Sequence, residues 1–103
     1  ILNQTYQNFE ILVRDDFSTD NTLKIINEIN DSRIKILPTN ENLGIIRNFG
    51  ELMNASTSEY IMFCDQDDLW LNNKIEIIHC HVLRFGILAC FYKLFFNNKI
   101  KKI

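Results

Sequence analysis

Hydrophobic and polar residues follow two different periods along the first 82 residues of the chain. Three short runs have the apolar, β-branched or aromatic content that is typical of strands, and they lie at residues 10–14, 33–37 and 59–64. Apolar residues spaced three or four apart indicate three helices, from the Ser-Thr-Asp segment at 18–20 to about 29, at 45–55, and from 71 to about 82. This alternation predicts an α/β fold with an open, mostly parallel sheet and flanking helices.

The predicted helices have apolar faces and suitable starting residues. Ser18, Thr19 or Asp20 can cap the first helix, because a side-chain oxygen accepts a hydrogen bond from an exposed first-turn amide. An apolar face is predicted on the second helix from Ile45, Ile46, Phe49, Leu52 and Met53, and an inward face on the third from Ile75, Ile78 and Val82. Residues 1–6 are predicted to end a helix whose own strand precedes this sequence, so the first strand of the sheet is expected to be missing.

Acidic residues fall where the predicted parallel strands end. Asp15 and Asp16 follow the first strand, residues 40–44 follow the second, and Asp65, Asp67 and Asp68 follow the third. Ligands of open α/β sheets bind at the carboxyl ends of the strands, so we expect these segments to share one edge. Grouped carboxylates repel one another unless a cation compensates, and oxygen ligands without His or Cys favour Mg²⁺ or Mn²⁺. Such a metal could also bind the phosphate oxygens of a substrate.

Each acidic segment also has a simpler interpretation. Asp15 and Asp16 alone are typical of a turn with a helix cap, and residues 65–68 of a solvated helix start. A receiver-like phosphoryl-transfer domain explains the carboxylates as well, but it needs a lysine at the end of a later strand, and no lysine follows a predicted strand in that way. Arg14 is unusual inside a strand and is predicted to mark an edge or an exposed face.

Charge divides the chain into two segments. Residues 1–78 carry 6 basic and 13 acidic side chains, whereas residues 79–103 carry 5 basic side chains and no carboxylate. We therefore expect one domain over 1–78 and a divergent basic and aromatic tail, predicted to be helical, over 79–103. The apolar stretch at 82–96 is shorter than the roughly 20 residues that span a bilayer, which favours a buried helix or one at a membrane surface. Three cysteines without paired spacing favour a reducing compartment.

Three motifs in the same order resemble the amino-terminal half of family-two glycosyltransferases, which have the GT-A fold. The first comprises Gln4-Thr5-Tyr6, Phe9-Glu10-Ile11 and the run from Asp15-Asp16 to Thr22. The second is Asn42-x-Gly44 followed by Arg47-Asn48-x-Gly50, and the third, Asp65-Gln66-Asp67-Asp68-Leu69-Trp70, resembles the Asp-x-Asp metal motif of that family. The resemblance covers about residues 1–78. Phe17 stands where the family usually has glycine, and we expect this to alter the backbone near the nucleotide.

The resemblance implies a role for each matching residue. Asp15 and Asp16 would help to hold the nucleotide base, with Asp16 in direct contact, and Asn42, Gly44 and Arg47 would lie near the base or the phosphates. Asp65 completes the third motif, Asp67 would approach the ribose or the metal, and Asp68 would bind the Mg²⁺ or Mn²⁺ ion. The donor would be a nucleotide diphosphate sugar, most often a UDP-sugar, and the acceptor a glycan or a lipid-linked molecule, with no nucleic-acid partner. The implied setting is cell-surface polysaccharide biosynthesis in the cytoplasm, at the inner face of the membrane.

We expect the chain to be truncated at both ends relative to that family. The first strand of the family should precede Ile1, and the acceptor half with its catalytic base should follow residue 78, where nothing resembles it. No catalytic residue is therefore assigned, and we expect this chain alone not to transfer sugar. The alternative function is that of a non-catalytic, nucleotide-binding remnant.

Overall fold

The computed structural model describes residues 1–65 and 67–85. These residues belong to two compact units, one formed by Phe9–Cys64 and the other by Ile1–Asn8 together with the described residues from Asp65 onward. Most of the predicted tail, including residues 86–96 of the apolar stretch, lies outside the described residues. The site predicted after the first two strands therefore falls in the first unit, and the acidic run at 65–68 falls in the second.

The first unit contains a parallel pair of strands, β1 (Ile11–Val13) and β2 (Ile34–Ile36). Ile11 pairs with Ile34 and Val13 with Ile36, so the two strands run in register and end at the same edge. The ladder extends by one bond at each end, because Ile11 N donates to Arg33 O and Leu37 N donates to Val13 O, both at 2.8 Å. The predicted α/β class with a parallel sheet is confirmed.

Two helices flank these strands in sequence, α1 (Thr22–Glu28) and α2 (Ile45–Ala55). The N-cap residue of α1 is Asn21, whose side chain makes no cap bond. Asp20, one of the predicted capping residues, precedes it, and its Oδ1 accepts from Thr22 N at 2.9 Å and from Thr22 Oγ1 at 2.5 Å. The Thr22 hydroxyl and, after it, the Thr22 amide hold the pKa of Asp20 below its ordinary value. The observed bounds of α2 are those predicted from its periodicity.

Two predicted elements are wrong. Residues 59–64 form no strand, and within the described chain the sheet consists of β1 and β2 only. A strand requires a neighbouring backbone to hydrogen-bond with, and apolar content cannot supply one; Tyr60, Ile61 and Phe63 remain exposed. Residues 1–6 are not the end of a helix either, but a turn followed by irregular chain.

The predicted apolar face of α2 is only partly covered. Phe49 and Leu52 are half-buried, and the Phe49 ring meets the Phe63 ring edge to face at a centroid distance of 5.2 Å. Ile45, Ile46 and Met53 are exposed, Ile46 to 85%. Periodicity correctly identified a helix here but not how much of its face would find a partner within the unit.

The second unit is built on α3 (Lys74–Phe85), where Ile75 and Ile78 are buried and Val82 is half-buried, as predicted. Residues 4 and 5 bind the start of this helix. The buried Gln4 side chain donates through Nε2 to Leu71 O at 2.7 Å and accepts through Oε1 from Ile75 N at 2.9 Å. Thr5 N donates to Asn72 O at 2.7 Å. The Gln4 side chain thereby satisfies one of the amides that a helix leaves unpaired in its first turn.

None of the helices in the described part of the chain is long and apolar enough to cross a lipid bilayer.

Candidate functional site

Two adjacent carboxylates, Asp15 and Asp16, follow β1 and make different contacts. Asp15 is buried, and its two oxygens accept from the backbone N and the hydroxyl of Ser18, at 2.7 and 2.5 Å. Its carbonyl oxygen accepts from Thr39 Oγ1 at 2.6 Å, in the loop after β2. Asp15 therefore fixes its own turn and ties it to the neighbouring loop.

Asp16 binds the second loop through its carboxylate. Oδ1 accepts from Leu43 N at 2.7 Å, and Oδ2 accepts from Gly44 N at 2.8 Å. The Asp16 carbonyl also accepts from Asn42 Nδ2 at 2.9 Å. As the parallel topology predicts, the loops after β1 and β2 lie together. We refer to residues 14–18 and 39–48, the latter including the first turn of α2, as the paired loops. The Asp16 side chain remains 24% exposed, so it holds the loop and still faces solvent.

Gly44 connects this contact to helix α2. Its φ of 74° and ψ of 163° lie in a region that is essentially restricted to glycine. Its carbonyl accepts from Asn48 N at 2.9 Å, which is the first bond of the helix. The glycine thus allows the amide at position 44 to face Asp16 while the helix begins at the next residue.

Arg14 is buried, which corrects the prediction of an edge or an exposed face. Its side chain is 5% exposed, and its Nη1 donates to Asn48 Oδ1 at 2.5 Å. Asn48 Nδ2 donates back to Arg14 O at 3.1 Å, so the two residues form a closed pair between β1 and α2. The same Nη1 lies 3.4 Å from Asp16 Oδ1. Asn48 lies 34 residues away, so the local sequence around Arg14 does not indicate this partner.

Phe17, which replaces the glycine usual at this position in the resembling family, has a φ of 68°. A side chain at such a φ is strained, because its Cβ approaches the backbone. Phe17 therefore adopts a backbone conformation that glycine adopts freely, and its ring is exposed. The expected alteration of the backbone near the nucleotide stays a prediction.

Arg47 lies in the first turn of α2 and is exposed. Among the described residues it forms no ion pair. A cation in the first turn of a helix is disfavoured by the helix dipole, whose positive end lies there. An anionic ligand at this end of α2 would compensate both the Arg47 charge and the partial positive charge of the helix end.

The third acidic segment belongs to the second unit. Asp65, Asp67 and Asp68 are exposed, and Asp68 N donates to Asp65 O at 3.1 Å, closing a turn. No group of three or more His, Cys, Asp or Glu residues in the described chain is arranged to hold a metal. Mg²⁺ is commonly held by one or two carboxylates together with substrate phosphates, so exposed Asp67 and Asp68 fit such an ion in their donor chemistry.

Trp70 follows this acidic turn and is half-buried. The Lys74 ammonium lies over its ring, 3.9 Å from the centroid, as in a cation–π contact. Its indole Nε1 is buried and has no hydrogen-bond partner among the described residues. The ring therefore packs at the start of α3 rather than standing free in solvent.

Comparison with known proteins agrees with the motifs on which these loops are built. A family model described as Glycosyl transferase family 2 matches residues 1–84. The chain belongs to this family. Membership in glycosyl transferase family 2 excludes the receiver-like alternative. The matched range includes the paired loops and the acidic turn.

Three curated glycosyltransferases illustrate the similarity. The chain is 36% identical over 102 residues to UDP-Glc:alpha-D-GlcNAc-diphosphoundecaprenol beta-1,3-glucosyltransferase WfgD of Escherichia coli, covering 97% of this chain and 40% of that one. It is 43% identical over 75 residues to WfaP of Escherichia coli, which has the same description, covering 73% of this chain and 30% of that one. It is 40% identical over 83 residues to dTDP-rhamnosyl transferase RfbG of Shigella flexneri, covering 74% of this chain and 29% of that one.

The chain thus spans less than half the length of these relatives. No solved structure matches it.

Proposed function

We propose that this chain forms the nucleotide-sugar-binding part of a glycosyltransferase that transfers sugar from a nucleotide diphosphate sugar to a glycan or lipid-linked acceptor. One observation carries the proposal. The Asp16 carboxylate accepts from the amides of Leu43 and Gly44. Gly44 lies about one helical turn before Arg47, which is an exposed cation. A partly exposed carboxylate can accept from the N–H of a base, and the guanidinium with the α2 amino end can bind phosphate.

Different residues of the paired loops are proposed to bind different parts of the nucleotide. Asp16 contacts the base with the lone pairs that the loop amides leave unused, while the buried Asp15 keeps the turn in place. Asn42 and Gly44 shape the second loop beside it, and Arg47 binds the phosphates. The contacts that fix the two loops are made between groups of the protein, and we propose on this ground that the site is preorganised.

We propose that Asp67 and Asp68 hold a divalent cation, Mg²⁺ or Mn²⁺, and that Asp65 closes the turn that presents them. When bound, such a cation supplies Lewis-acid stabilisation of the departing diphosphate. The support is the exposure of both carboxylates and the hard oxygen donor set. As an alternative, we propose that Asp67 contacts the ribose, as the family motif implies.

The donor and the setting follow from the named relatives. WfgD and WfaP are described as using UDP-Glc with a diphosphoundecaprenol-linked acceptor, and RfbG as a dTDP-rhamnosyl transferase. All three donors carry a pyrimidine nucleoside diphosphate, and we propose a UDP-sugar and a lipid-linked glycan acceptor for this chain. We further propose that it acts in cell-surface polysaccharide biosynthesis in the cytoplasm, in peripheral contact with the inner face of the membrane.

We assign no catalytic base within this chain. Its relatives are more than twice as long as the segment it matches, which supports an acceptor side and a base in the remaining length. The 103-residue chain is therefore proposed to bind nucleotide without transferring sugar. Metal-dependent sugar transfer by this chain alone would contradict that assignment.

Titration calorimetry with UDP, with and without MnCl₂, tests the proposal. We expect binding that Mn²⁺ strengthens, and we expect Asp67→Ala and Asp68→Ala each to remove the Mn²⁺ effect. Glu51→Ala, which removes an exposed carboxylate on α2, serves as the control and should bind as the unsubstituted chain does. Absence of UDP binding would refute the proposed function, and an Mn²⁺ effect that survives both aspartate substitutions would refute the metal assignment alone.

A further inference from the structure

The buried pair Arg14 and Asn48 lies directly behind the nucleotide-contacting carboxylate. Arg14 Nη1 is within 2.5 Å of Asn48 Oδ1 and 3.4 Å from Asp16 Oδ1. Asp16 in turn accepts from the amides of Leu43 and Gly44. The Arg14 guanidinium therefore contacts both Asp16, which follows β1, and Asn48, which lies in the first turn of α2.

The Asn48 amide determines where that guanidinium lies. Its Nδ2 donates to Arg14 O, so its Oδ1 must point towards the Arg14 side chain rather than away from it. The nearer partner of Nη1 is this neutral oxygen, and Asp16 is the more distant one. Arg14 thus forms an ion pair with Asp16 at 3.4 Å, while its shorter hydrogen bond is to Asn48.

We propose that Arg14 and Asn48 are positioning residues for nucleotide binding: together they fix the Asp16 carboxylate against the amides of Leu43 and Gly44, so that a nucleoside diphosphate meets a preformed site. The inference rests on the proposed function and extends it to two residues that make their contacts inside the protein. Losing a hydrogen bond to a buried charged group costs more free energy than losing one between neutral groups. Removing Arg14 or Asn48 should therefore weaken the positioning of the Asp16 carboxylate.

UDP titration of single and double variants tests this inference. Arg14→Met removes the charge and the fork at similar length, and Asn48→Leu removes both amide contacts at similar size. We expect each to raise the Kd for UDP about ten-fold, the change that accompanies a loss of about 1.4 kcal/mol. The double variant should bind no more weakly than the weaker single variant, because the two residues act as one pair. Arg14→Lys, which keeps the charge but not the fork, should bind with an intermediate Kd.

Controls separate positioning from stability and from the proposed function. Arg33→Met removes an arginine that pairs with Asp31 away from the paired loops, and it should leave the Kd unchanged. Thermal unfolding identifies variants that are unfolded at the titration temperature. If Arg14→Met or Asn48→Leu is unfolded, the milder Arg14→Lys or Asn48→Asp is titrated with UDP in its place. Folded variants that bind UDP with the unsubstituted Kd, or singles whose effects simply add, would overturn the inference alone. An unsubstituted chain that does not bind UDP would overturn the proposed function and this inference with it.

Discussion

The carboxylate of Asp16 accepts the backbone N–H of Gly44 at 2.8 Å, across 28 residues of sequence. This bond joins the end of β1 to the residue that starts α2, and a second bond, from Leu43 N, runs parallel to it. The two loops that the parallel strands bring to one edge are therefore held by direct bonds. Consequences for stability and binding can be tested residue by residue.

The conformation of Gly44 predicts opposite effects for the same substitution at two glycines. Gly44→Ala should lower the free energy of unfolding by about 1–3 kcal/mol, because its positive φ of 74° is strained for any residue with a Cβ. Gly50→Ala, in the interior of α2 with open space around the added Cβ, should raise it by about 0.5–1 kcal/mol. Urea unfolding of both variants checks this. Equal effects of one sign would contradict the role given to Gly44.

The strained backbone at Phe17 predicts a difference between two truncations of its ring. Phe17→Gly and Phe17→Ala both remove an exposed phenyl group, but only glycine relieves the φ of 68°. We expect the glycine variant to be more stable than the alanine variant by about 1 kcal/mol. Urea unfolding measures the difference, and an alanine variant of equal or greater stability would show that position 17 is not strained.

Gln4 should be required for the second unit to hold together. Gln4→Leu leaves Ile75 N and Leu71 O without their side-chain partner, and we expect a loss of about 1–3 kcal/mol in the free energy of unfolding. Asn3→Ala, at the exposed neighbouring position, is the control and should change the stability by less than about 0.5 kcal/mol. The unfolding of α3 is followed by circular dichroism. Unchanged stability in Gln4→Leu would contradict the docking of residues 4 and 5 on this helix.

Asp31 gives the fold a pH dependence in acid. The Arg33 side chain and then its backbone N–H hold the pKa of Asp31 at about 2, below the ordinary value of 3.8. A depressed carboxyl pKa contributes stability that is present above pH 3.8 and is lost as the pH falls towards 2.

Arg33→Met should raise the pKa of Asp31 towards its ordinary value, since the first cause of the shift is removed. Carboxyl titration by NMR measures the pKa directly. Lys24→Met, which removes an exposed lysine paired with Glu28, is the control and should leave the pKa of Asp31 unchanged. A pKa of Asp31 that stays near 2 without Arg33 would show that another group causes the shift.

Local patterns predicted the helices and the meeting of the first two loops. The bounds of α2 followed from its periodicity and from Gly44, because both are properties of adjacent residues. The convergence of Asp16 with residues 42–44 followed from parallel topology, which fixes where strands end even when their partners are distant in sequence.

Features that depend on a distant partner were not predictable in this way. Residues 59–64 have the composition of a strand, but pairing requires a neighbouring backbone that the local sequence does not encode. Arg14 was predicted to mark an edge or an exposed face, but its buried side chain is paired with the Asn48 amide, 34 residues away, as well as with Asp16. The shared edge expected for Asp65–Asp68 and Asp15–Asp16 stays a prediction.

Backbone amide chemical shifts recorded during a titration with UDP test the central claim most directly, because they report both whether the nucleotide binds and where. The account predicts saturable shifts in the paired loops, largest at residues 16–18 and 42–47. Absence of saturable shifts, or shifts confined to residues outside the paired loops, would contradict it.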